Sequence, residues 1–98
     1  MSSLSDAAEE RLNLLQEESG EVVQAASKIL RFGPYSYHPR NPGPSNQEHL
    51  EEEIGGFCAI LTLLARAGEI SEERCAKYEL EKLKEIGRYT KYQKYEEE

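Results

Sequence analysis

The 98 residues carry 19 acids against 12 bases, a formal net charge of −7, and every acid except Asp6 is Glu. Such a surface repels a phosphate backbone, which excludes a general nucleic-acid binder but leaves room for a nucleotide carried with a divalent cation. A single domain of this length buries only about 60–65% of its extended surface, so its own core is thin and association with further copies would enlarge it.

The two cysteines, Cys58 and Cys75, form no CxxC pattern. The opening "MSSLSDAAEERL" has neither the basic start nor the apolar run of a secretory signal. No stretch of about 18 apolar residues is present to span a membrane. The expectation is a soluble, cytoplasmic protein with free thiols and no membrane partner.

In chain order, the first element is a helix predicted from Ser5 to Phe32. Ser5 is its cap, and Asp6, Glu9 and Glu10 lie in its early turns, where negative charge suits the helix dipole. Gly33-Pro34 stops it. At 1.5 Å per residue it would be about 42 Å long, more than the diameter of a compact small domain, so part of it must pack on something else or kink. Gly20 marks a kink or a close backbone contact.

The segment "GPYSYHPRNPGPSN", residues 33–46, holds all four prolines and reads as a loop. Tyr35, Tyr37 and His38 within it either stack on a base and cover a pocket or are ordinary exposed loop residues.

A second helix opens at Ser45, with Glu48 at capping-box spacing, runs to about Ala67 and closes at Gly68. His49 near its start reads as a surface residue, and Cys58 as a small core residue. Ser71 caps a third helix whose first turn holds Glu72 and Glu73. Beyond Gly87 the sequence "GRYTKYQKYEEE" has little core character, and fraying is expected over 88–98. Tyr89, Tyr92 and Tyr95 recur there at every third position, as an oligomer contact or a loose tail. With no repeat and no strand-like alternation, residues 1–98 form one all-α domain, a bundle of about three helices completed by oligomerisation.

Wound at about 100° per residue, Leu12, Leu15, Val22, Ala26 and Ile29 share one face of the first helix. Glu18 falls inside that face, Glu21 at its edge and Glu17 outside it. On the second helix, Leu50, Ile54, Phe57, Leu61 and Leu64 form a stripe that Ile60 widens, and Glu53 lies on that side while Glu51 and Glu52 point away. Each apolar helix thus carries acid toward an interior, where an unpaired carboxylate costs several kcal/mol and like charges raise the cost. A basic partner, shared protons or a metal ion would offset it. The plainer alternative is that a Glu-rich helix places some acid at its apolar edge by chance. Lys28, seven positions beyond Glu21, would serve as a pairing group. Oxygen-only ligands favour Mg²⁺ or Mn²⁺ over zinc.

Two short motifs carry a resemblance. "EESGE", Glu17 to Glu21, resembles the EExxE motif of the all-α NTP pyrophosphohydrolases, the MazG-like superfamily. "EEIGG", Glu52 to Gly56, stands where the EExGD segment with its ExxD motif would be. The flanking "VVQAASKILRFG" and "NQEHLEEEIG" look like the small phage-type members, and the similarity covers roughly Leu12 to Arg66. What it implies is Mg²⁺-dependent cleavage of a nucleoside triphosphate to the monophosphate and pyrophosphate, in a dimer or tetramer. By the same resemblance Glu18, Glu21 and Glu53 are the metal ligands, with Glu17 a further ligand or a helper on the base side. Lys28 and Arg31, further along the helix, would clamp phosphates, or form a solvated pair near a helix C-terminus. The departure is Gly56, which stands where the motif has Asp and removes a ligand. Two alternatives follow from it: a catalytically impaired nucleotide-binding member, or a structural helical assembly module.

Overall fold

A computed structural model describes residues 3–37, 40 and 42–95; His38 lies outside them. The fold is all-α, with α1 (Asp6–Phe32), α2 (Asn46–Arg66) and α3 (Glu72–Glu85), followed by a 3-10 turn over Ile86–Arg88.

The helix boundaries follow from their caps. The Ser5 hydroxyl accepts from the Ala8 N–H at 3.1 Å, and the Ser71 hydroxyl from the Arg74 N–H at 3.2 Å. At α2 both halves of a capping box form: the Glu48 N–H donates to Ser45 at 3.1 Å, and the Ser45 N–H to the Glu48 carboxylate at 3.2 Å. Gly33 (φ 87°) and Gly68 (φ 75°) end α1 and α2 in the left-handed region that side chains resist.

α1 and α2 form an antiparallel hairpin. At one end the loop base is pinned, because the N–H groups of Asn46 and Gln47 donate to the carbonyls of Ser36 and Pro34, each at 2.8 Å. These bonds and the capping box occupy the N–H groups that open α2, so that helix start offers no cradle for a phosphate. At the other end Arg11 reaches from α1 to Glu69, beyond α2, through a two-pronged contact at 2.5 and 3.0 Å.

Among the described residues the buried core is Ala8 and Ala25 from α1 with Ile60 and Leu64 from α2. The two alanines let the helices approach closely, and the larger α2 side chains fill the seam. Leu15, Val22, Ala26, Ile29, Leu50, Phe57 and Leu61 are half-buried. Leu12 and Ile54, expected in the two stripes, are 39% and 42% exposed. A seam between only two helices covers a narrower band than either apolar face offers, so the flanks stay open. Cys58, expected in the core, is exposed for the same reason, and both cysteines are unbridged. At Gly20 an added Cβ would meet nothing within 4 Å, so no close contact explains it.

α3 packs chiefly on the 3-10 turn that follows it, and none of its residues is buried. The segment after Arg88 folds back: the Thr90 hydroxyl donates to the Ile86 carbonyl at 2.7 Å and the Lys94 ammonium to the Gly87 carbonyl at 2.8 Å. The three tyrosines there stay open, with Tyr92 79% exposed. Among the described residues no helix is long and apolar enough to cross a membrane.

Candidate metal centre

Glu18 and Glu21 stand three residues apart on α1, a spacing that puts both on one side of the helix. The antiparallel course of the hairpin brings Glu53 of α2 opposite them. The three carboxylates each offer an oxygen, and these oxygens lie within 4.8 Å of one another. All three side chains are half-buried at the edge of the seam, deep enough to repel one another and open enough to admit a ligand.

The electrostatics show the crowding. The Glu21 carboxyl holds its proton above the usual carboxylate range, first because it is hydrogen-bonded with Glu53, then because of the Glu53 charge and partial desolvation; His49 acts weakly in the opposite sense. That hydrogen bond favours the protonated form of Glu21.

His49 joins the group from the side. Its Nε2 lies 3.2 Å from the Glu53 carboxylate, one helical turn away. His49, expected at the surface, is half-buried beside Glu53, and their i, i+4 spacing is the sequence signal for that contact.

Position 56 also faces the acids. A Cβ on Gly56 would come within 2.6 Å of a Glu18 carboxylate oxygen. Glu18 therefore occupies the space a side chain at 56 would claim, and only the swing of a flexible carboxylate would make room for one. Glu17 and Glu52 are exposed and stand outside the cluster.

The basic residues divide. On an ideal helix Lys28 lies within about 20° of Glu21, two turns nearer the loop, whereas Arg31 is turned by about 140° from Glu18. Lys28 and Arg31 share a shallow depression of α1 with Val23 and Leu30, largely on the flank away from the acids. Arg31 also lies over the Phe32 ring, 5.2 Å from its centre. Tyr35 and Tyr37 are 80% and 55% exposed and make no wall for the site.

The donor set suits a hard cation. Three carboxylate oxygens within 4.8 Å of one another are the all-oxygen donor type that Mg²⁺ takes. A divalent ion held between the three carboxylates would offset their mutual repulsion. No protein-family model, no curated protein and no solved structure matches the chain.

Proposed function

We propose that the chain is a Mg²⁺-dependent nucleoside triphosphate pyrophosphohydrolase of the MazG-like type, working as a homo-oligomer, with Mn²⁺ as an alternative ion. The observation that carries this reading is the convergence of Glu18, Glu21 and Glu53 from two helices within 4.8 Å. The same residues are those the motif resemblance singles out as metal ligands.

Glu18, Glu21 and Glu53 would hold the ion, which when bound supplies positive charge to neutralise the triphosphate around its α-phosphorus. Glu17 stands one turn before Glu21, within about 40° around α1, and is open to solvent. It would take the proton of the water whose oxygen bonds to the α-phosphorus as the bridging bond to pyrophosphate breaks. Lys28, on the Glu21 side of α1, would meet the leaving phosphates, with Arg31 reaching round from the flank.

Gly56 favours a second reading. It faces Glu18 with no carboxylate of its own, so the site holds one acid fewer than the motif. In that reading the protein binds nucleotide and turns it over slowly.

Pyrophosphate release from a panel of deoxynucleoside triphosphates with Mg²⁺ tests both. The first reading predicts release that Glu21→Gln lowers by at least about 100-fold. Thermal stabilisation by nucleotide without release supports the second, and a large gain from Gly56→Asp would then locate the defect. Neither release nor stabilisation removes both readings, leaving the structural assembly module.

A further inference from the structure

The outer side of α2 and the inner side of α3 form a groove. It has a volume of about 250 Å³; its floor is Leu61, Ala65, Ile70, Cys75 and Ala76, with Thr62, Glu72 and Glu79 at its edges. The apolar strip continues along α3 to Leu80, which is 40% exposed. This strip lies away from the α1–α2 seam and takes no part in the acid cluster.

The chain is more open than a compact monomer. Its accessible surface is 8210 Å², against about 5,700 Å² for a compact monomer of this mass. Its radius of gyration is 16.8 Å, against about 13 Å for a compact chain of this length. The excess, about 2,500 Å² per chain, is as large as the upper end of one partner's share, roughly 1,000 to 2,500 Å², of an obligate homodimer interface.

Charge indicates what covers it. The chain as a whole has a net charge of −7 and repels its own copies. α3 is the exception, with five acids against four bases. Glu73 and Lys84 are both exposed and lie within about 20° of each other around the helix, on one flank of the apolar strip. Near the two ends of α3, they are placed so that an antiparallel second α3 would set each Glu73 against the other copy's Lys84.

We propose that the α2–α3 groove is a self-association surface, closed by α3 of a second copy lying antiparallel across it, with reciprocal Glu73–Lys84 contacts. This deepens the expectation that copies associate by naming the surface and its geometry. It stands apart from the proposed reaction, because the readout is mass alone.

The test is sedimentation of the full chain without nucleotide or metal, with helicity checked by circular dichroism. The wild type should sediment as two copies or a multiple of two. Ala76→Glu, which places a charge in the groove at an exposed helical position, should raise the dissociation constant by 100-fold or more. Gln16→Glu, the control on an exposed part of α1, should leave it unchanged. Glu73→Lys and Lys84→Glu should each weaken self-association, on the order of tenfold, and should pair with each other when mixed, since only the mixed dimer sets opposite charges together at both contacts. A wild type of single-copy mass at high micromolar concentration overturns the proposal. So does an Ala76→Glu chain that keeps the wild-type mass. Failure of the two charge variants to recover association on mixing overturns the antiparallel arrangement.

Discussion

The α1–α2 hairpin and the α3 arm are built by the same local rules and end in different conditions. Each helix has a serine cap, acid in its first turn and base in its last. The hairpin closes a seam over Ile60 and Leu64, whereas the arm leaves every one of its residues at least partly open. Capping and dipole complementarity suffice to start and stop a helix, but tertiary burial decides whether it is held. The hairpin holds itself and, along its edge, forces three carboxylates together.

The largest effect that would sharpen this contrast lies in the seam. Leu64 is 2% exposed, and Leu64→Ala should cost about 2–5 kcal/mol in urea unfolding. Tyr78→Ala, on the outer side of α3 where Tyr78 is 57% exposed, should change stability by no more than about 0.5 kcal/mol. Equal losses at the two sites would erase the distinction between buried seam and open arm.

Next come the acids. Because Glu21 holds its proton more tightly in the folded chain than in the unfolded one, the native state binds more protons, and the ion-free protein should lose stability as pH rises through the raised Glu21 pKa. Glu21→Gln keeps a hydrogen-bonding group beside Glu53 and removes one charge. It should flatten this slope and leave the ion-free protein as stable as the wild type or more so at neutral pH, read as melting temperature against pH. Divalent ion should stabilise the wild type by about 2.7 kcal/mol at a hundredfold excess over its dissociation constant, and Glu21→Gln hardly at all.

A smaller effect is expected at the link between hairpin and arm. Arg11 holds Glu69 below the usual carboxylate range. Its contribution is therefore present above the unfolded Glu pKa and is lost as pH falls through the lowered one, opposite in sign to that of Glu21. Arg11→Gln should lower the melting temperature slightly at neutral pH, and salt should shrink the difference.

The helix ends were readable from the sequence because capping is local. Ser5, the Ser45–Glu48 pair and Ser71 act within a single turn, and Gly33 and Gly68 act through their own backbone. The inward aim of Glu18 and Glu53 was also legible, since periodicity reports which side of a helix a residue shares. Periodicity does not report how wide a band a neighbour covers. Hence Leu12, Ile54 and Cys58 read as core and are exposed. Nor does it show a contact between side chains one turn apart unless both are weighed together, so the place of His49 against Glu53 was missed. The approach of Glu18 to the Gly56 backbone depends on the distance between two helices, which no single stretch of sequence encodes.

The most direct measurement of cation binding is a calorimetric titration of Mn²⁺ into the 98-residue chain, free of nucleotide, beside Glu21→Gln and Glu53→Gln. The account predicts one saturable site per chain in the wild type, with proton release on binding and affinity rising from mildly acidic to neutral pH, and loss of that site in both variants. Absence of saturable binding, or binding that both variants retain undiminished, would contradict it.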